Sequence, residues 1–142
     1  MNIKTVHDVE FGTELPSFTP DTSITKTAEF AKAVGWGNGR GRFDNHEAAR
    51  KQGLPGALVP GIMGLAFLTS TIHQWSDVAE VEHIDTVFRA PMLADEPITI
   101  GAVVTDIDED TGVIELDMTL KNDLDETRVF GTAKVRLPVE SP

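Results

Sequence analysis

The sequence predicts an α+β domain in which an antiparallel sheet curls around one buried helix. Two stretches carry that reading. Residues 54–75, LPGALVPGIMGLAFLTSTIHQW, hold an apolar run from Ile62 to Trp75 that covers most of a helical wheel. A helix apolar on nearly every side belongs in a core. After residue 75 the period changes. The segments VEHIDTVFRAP, ITIGAVVTDID, VIELDMTLKN and RVFGTAKVRLP are rich in Val, Ile, Thr and Phe and alternate in part, the two-residue rhythm of half-buried strands. Thr69, Ser70, Thr71, His73 and Gln74 interrupt the apolar run, which excludes a membrane span.

From the N-terminus, residues 7–20 carry Gly12, Pro16 and Pro20 and read as an irregular lead-in with one short strand. Thr22 or Ser23 caps a helix over 23–34, whose apolar positions recur near 3.6 residues and which Gly35 ends. Residues 35–53, GWGNGRGRFDNHEAARKQG, begin with glycines at 35, 37, 39 and 41. Such a run resists both helix and strand and predicts a loop. Asp44 or Asn45 then caps a short helix from His46 to Gln52, closed by Gly53. Pro60 suits the first turn of the buried helix, Gly61–Trp75, because its missing N–H would be unpaired there anyway. Gly61 and Gly64 let a ligand or another segment come close. Strands are expected over Val81–Arg89, Ile98–Ile107, Val113–Lys121 and Val129–Leu137. DEDTG and NDLDE join the last three as an antiparallel meander.

The 142 residues, 40% of them hydrophobic, suffice for one domain, 1–142, with a real core. The absence of cysteine excludes disulfides and thiolate chemistry. A formal charge of −11 argues against general binding to nucleic acid or an anionic membrane, since both need a basic face. The N-terminal residues show no apolar leader, so a cytoplasmic location is expected. Asp106, Asp108 and Asp110 before Gly112 imitate a calcium loop. The glycine comes one place late and Asp117 stands where a bidentate glutamate belongs, so a hairpin turn and no metal are expected. No phosphate-binding loop, dinucleotide fingerprint, zinc spacing or Gly-x-Ser-x-Gly elbow is present.

The order and spacing of three stretches carry a resemblance. AARKQGLPGALVPGIMGLAFL, residues 48–68, resembles the A-R-x-x-G-L-P-G-x-I-x-H-G-M run of the MaoC-like acyl-CoA hydratases and dehydratases. HIDTVFRAPMLADEPITIGAVVTDI is similar to their F-x-x-P-V-x-x-G-D-x-L stretch, and GTAKVRLP to their last strand. The resemblance implies a hot-dog fold, in which the sheet is the bun and the helix the filling. It implies pairing as a homodimer or as a heteromer with another hot-dog chain. It further implies an acyl thioester, on CoA or an acyl carrier, as substrate and no cofactor. The family's catalytic signature, D-x-N-P-x-H-x-D, is not kept. Counted back without gaps from Ala49 and Arg50, its catalytic Asp falls on Asn38, its His on Phe43 and its later Asp on Asn45. The His of the H-G-M run is Pro60, while its Gly remains as Gly61.

Adding water to an enoyl thioester needs a water held and deprotonated, a proton for the α-carbon, and donors at the thioester oxygen. The resemblance assigns the donor role to the Gly61 N–H, at a helix start where backbone donors are unpaired. For acid and base the region offers Asp44 and His46. Their simpler roles are a helix cap and an exposed residue of a first turn. Asn38 can orient a water or a carbonyl but cannot act as a base. Arg40 and Arg42 are expected to attract ligand phosphates, with Phe43, Pro60 and Ile62 completing the ligand-binding set. Arg50 and Lys51 are expected in surface pairs, and His73 and His83 as packed structural residues. Two functions follow. One is a hydratase or dehydratase with a rearranged acid/base set. The other is a non-catalytic acyl-binding or structural subunit beside a hot-dog chain that supplies the Asp and His. A thioesterase is a weaker third, since no carboxylate is clearly placed to face the thioester.

Overall fold

The computed structural model describes residues 3–37 and 39–140. Its main sheet holds four long strands, β2 (Glu80–Phe88), β4 (Ile98–Asp108), β5 (Val113–Asn122) and β6 (Thr127–Arg136), in the order β2-β6-β5-β4, all antiparallel. The expected meander is present, with strand ends shifted by one or two residues. Two further strands, β1 (Leu58–Val59) and β3 (Met92–Leu93), pair with each other; two residues are too few for a period to announce. The helices are α1 (Ile24–Ala33), α2 (His46–Lys51) and α3 (Gly61–Trp75).

Alternation builds one wall of the core. Ile98, Ile100, Ala102 and Val104 of β4 point inward, as do Ile114, Leu116, Met118 and Leu120 of β5. The register shifts at Val81/His83, Val104/Asp106 and Leu120/Lys121, and such bulges sharpen strand twist, which lets the sheet curl. Against it lies one stripe of α3: Met63, Gly64, Leu68, Thr71, Ile72 and Trp75. Full burial of a side chain such as Leu68 or Ile72 contributes roughly 1.5–3 kcal/mol each. Gly64 permits the approach, since a Cβ there would stand 3.0 Å from the Met92 Cε.

One expectation needs correcting. Helix α3 is not buried all round. Ile62 is 42% exposed, and Ala66, His73 and Gln74 face solvent. The sheet of one chain covers one side of the rod, and an apolar wheel does not reveal which chain covers the other. His73 and His83 are exposed rather than packed.

The two borders of the sheet differ. The lead-in, irregular as expected apart from a 3-10 turn at Val6–Asp8, lies along β4. The N–H groups of Gly12, Leu15 and Phe18 donate to the carbonyls of Val104, Ala102 and Ile100. The other border, β2, pairs only with β6 among the described residues.

Candidate functional site

The glycine loop and α2 form a fastened unit. Asn45, not Asp44, caps α2, its Oδ1 accepting the Ala48 N–H at 2.9 Å. Asp44 instead closes the loop on itself. Its Oδ2 accepts the Gly39 N–H and its Oδ1 the Gly41 N–H, both at 2.7 Å. Gly39 adopts φ +81, a conformation that costs glycine little and L side chains much. Asn38 lies outside the described residues.

His46 is fastened on both sides of its ring. The Ala57 N–H donates to Nδ1 at 2.9 Å, so Nδ1 presents its lone pair there. The proton therefore sits on Nε2 and is donated to the Asp95 Oδ2 at 2.7 Å. Gly56 makes room for this, because a Cβ at that position would lie 3.0 Å from Nδ1. Asp95 Oδ1 accepts the Ile24 N–H at 2.8 Å, which pins the start of α1 to the same carboxylate. The His46 donor, then the Ile24 N–H, hold the Asp95 carboxyl below its ordinary range. One hub thus joins α1, α2, the approach to β1 and the turn before β4. Neither ring nitrogen of His46 has a free lone pair for a substrate proton in this arrangement.

The start of α3 is the opposite. Pro60, with φ −56 and ψ 137, takes the cap position and offers no side-chain acceptor. Its carbonyl accepts the N–H groups of Met63 at 3.0 Å and Gly64 at 3.3 Å. The N–H groups of Gly61 and Ile62 find no acceptor among the described residues. Gly61 lines a mainly apolar cavity of about 270 Å³ together with Phe43, Leu58, Val59, Phe88, Arg89 and Met92 among others. The Phe88 ring packs over the helix start, 3.4 Å from where a Gly61 Cβ would stand. Phe43 rests against Trp36 with ring centres 5.7 Å apart, and the Arg42 guanidinium lies 6.0 Å from the Phe43 centroid.

The structure therefore brings Phe43 and Gly61 to one cavity, with Pro60 and Ile62 flanking Gly61 in the chain, and engages Asp44 and His46 in bonds within the chain. Arg40 is exposed and already has a partner. Lys51 pairs with Glu47 as expected, whereas Arg50 donates to the Pro55 backbone carbonyl instead of pairing with a carboxylate. Phe88, Arg89, Met92 and Asp95 escaped the sequence reading. Their relation to residues 46 and 61 is purely tertiary, and no local pattern in the sequence announces it.

A larger hollow of about 730 Å³ lies between the lead-in, β4 and β5. It is bordered by Glu14, Asp117, Asp123 and Asp125, and its Lys121 is tied to Asp125 at 3.4 Å. It offers no unpaired helix donors, so the smaller cavity is the better candidate. The aspartate-rich turn is a hairpin turn, as expected. Asp108 Oδ1 accepts the N–H groups of Asp110 and Thr111 at 3.0 and 3.2 Å. Among the described residues no group of three or more His, Asp or Glu could hold a metal ion, and no helix is long and apolar enough to cross a membrane.

Comparison with solved structures places this architecture. The chain superposes on the (R)-hydratase from A. caviae involved in PHA biosynthesis with a TM-score of 0.82 and 19% identity, over 92% of this chain and 98% of that one. R-hydratase PhaJ1 from Pseudomonas aeruginosa gives 0.86 and 14%, over 96% and 86%. The ChsH1-ChsH2 complex from Mycobacterium tuberculosis gives 0.79 and 19%, over 90% and 98%. No protein-family model and no curated protein sequence matches the chain. At these identities the likeness speaks to fold, and the fold is the hot-dog.

Proposed function

We propose that this chain is a MaoC-like subunit that holds an acyl thioester at the amino end of α3, and that a second hot-dog chain supplies the residues that handle water. The observation that supports it most is the contrast at the site. The Gly61 and Ile62 N–H groups stand unpaired and Gly61 lines an apolar cavity, while the ring nitrogens of His46 and the carboxylate of Asp44 are engaged inside the chain. Two backbone donors at a helix start suit a thioester oxygen that gains negative charge. The cavity walls suit an acyl chain. Hydration would add hydroxide from water to the β-carbon and a proton to the α-carbon. Dehydration is the reverse, and both need a base and an acid opposite these donors.

A partner chain also fits the parts of the surface left bare. Among the described residues the outer edge of β2 has no partner strand, and six of the fifteen residues of α3 are exposed. One structural neighbour, ChsH1-ChsH2, is itself a complex of two chains. A homodimer would cover the same surfaces but would bring no different acid/base pair. The competing reading is hydration by this chain alone. It draws on one feature, the Asp95 carboxylate bonded to the His46 ring.

Purified chain mixed with an enoyl-CoA, followed by the loss of enoyl-thioester absorbance, separates the two. The expected result is binding without turnover by the chain alone, and turnover once a co-purifying hot-dog protein is added. Turnover by the chain alone that disappears in His46→Ala or Asp44→Asn would replace the subunit reading with the self-sufficient one.

A further inference from the structure

We propose that the outer face of the sheet carries a second site, in which the groove between the lead-in and β5 docks a basic segment of another protein laid over Gly101. The inference goes beyond the acyl-thioester reading and does not depend on it.

The groove follows from the alternation that builds the core. Ile98, Ile100, Ala102 and Val104 of β4 point inward, so Thr99, Gly101 and Val103 face out. On β5 the outward residues include Asp117, Thr119 and Lys121. Gly101 stands opposite Thr119 in the register. A glycine inside a strand weakens it, and its usual reasons are a bulge, a bend or the close approach of another backbone. No bulge falls here, since the β4–β5 register shifts only at Val104/Asp106. Gly131 of β6 has its reason inside the chain, because a Cβ there would run into the Asp85 carbonyl. Gly101 has none: a Cβ would meet nothing nearer than the Thr119 Oγ1, at 3.8 Å. What the missing side chain makes room for is therefore outside the chain. The lead-in raises one wall, with the Leu15 N–H donating to the Ala102 carbonyl at 2.9 Å and Glu14 bridging to Val103. The β5–β6 turn closes one end, where Asn122 Oδ1 accepts the N–H groups of Leu124 and Glu126 at 3.0 and 2.9 Å. The hollow of about 730 Å³ is the space so enclosed.

Charge complementarity selects the occupant. Glu14, Asp117, Asp123 and Asp125 border the groove, and its Lys121 is held by Asp125. Glu14, Asp117 and Asp123 form no ion pair among the described residues. Such a rim repels anions and a second copy of this acidic chain alike. The floor continues as apolar surface: Thr119 lies beside Phe130, and Phe130 beside Val87, and the last two are exposed. Leu124 stands exposed at the closed end. An occupant that satisfies both features carries lysine or arginine together with apolar side chains, which describes a protein segment better than a small polycation. The groove lies along β4, at the border of the sheet opposite β2, so a hot-dog partner seated on β2 leaves it open.

Nitrogen–proton NMR of the full chain tests the site with three probes: a soluble peptide alternating lysine with leucine and glutamine, the same peptide with glutamate for lysine, and spermine. The lysine peptide should shift the Thr119 amide saturably, with an affinity that falls as salt rises, and the glutamate peptide should not. Spermine should bind about tenfold more weakly than the lysine peptide. Gly101→Val places a strand-forming side chain on the floor and should abolish the shift with the circular dichroism unchanged. The pair Glu14→Gln and Asp117→Asn leaves the floor as it is and should weaken the peptide about tenfold. Undiminished binding to either variant would reduce the effect to the general attraction of an acidic surface and overturn the site. Spermine binding as tightly as the peptide would overturn the protein segment as its occupant. Neither result touches the acyl-thioester reading, because thioester affinity should be the same in the parent and in both variants.

Discussion

The loop-α2 unit and the mouth of α3 lie side by side and treat their polar groups in opposite ways. Among the described residues of 36–57, the polar side chains of Asp44, Asn45 and His46 are all engaged within the chain. Asp44 takes two amides, His46 joins Ala57 to Asp95, and Asn45 caps its helix. At residues 60–62 the cap has no side-chain acceptor and two amides are left over. A region whose hydrogen bonds close internally is a fastening, since removing a partner from a buried donor exposes the full cost of its desolvation. A region with unpaired donors beside an apolar wall awaits something. On the subunit reading proposed above, the chain keeps the binding half of a site while Asp44 and His46 serve as structural ties.

Gly61→Pro bears hardest on that contrast. Pro60 already has the extended backbone that a following proline requires, and a first helical turn accepts proline. The substitution therefore deletes one donor while the helix persists, apart from a small retreat of the Phe88 ring. Turnover of the assembled enzyme should fall about a hundredfold with the helical circular dichroism unchanged. Intact turnover would mean that the amide serves nothing.

His46→Ala probes the other side. It strands the Ala57 N–H, on a residue with no exposed surface, and should lower unfolding stability by about 2 kcal/mol in urea titration. Affinity for an acyl thioester should stay near that of the parent. Collapse of activity with stability preserved would reverse the assignment of fastening and site.

The smallest effect is one of pH. The Asp95 carboxyl is held below its ordinary value, first by His46 and then by the Ile24 N–H. Its contribution is complete above the unfolded value of 3.8 and is lost as pH falls through the lower folded value. Side-chain exposure of 46% keeps it small. Asp95→Asn should have a lower urea midpoint at neutral pH, and the gap to the parent should close below pH 3.8. A gap that stays constant in acid would show that the charge is irrelevant to the hub.

Legibility in the sequence followed from range. Helix α3 and the four long strands were readable because their periods repeat over nine or more residues, and Ser23 and Gly35 marked the ends of α1 by local chemistry. The pair β1 and β3 was not, being fixed by partners rather than by pattern. Between Asp44 and Asn45 the sequence offered no choice of cap; the answer depended on which carbonyl or carboxylate the glycine loop turned toward. Gly61 was legible through its place at a helix start. Phe88 and Arg89 lie 27 and 28 residues further on, and only the curl of the sheet brings them over it. The exposed flank of α3 shows the same limit, because apolar character records that a surface is covered and not by whom.

The open border of β2 has a consequence for the life of the protein in the cell. A solitary copy carries nine residues of ladder with one side unzipped, a template on which stray strands can grow. Glu80 and Asp85 stand exposed along it and make like copies poor recruits, since each brings the same charge. A companion of different charge would close the ladder, so matched supply of the two chains would decide whether newly made molecules assemble or accumulate as orphans.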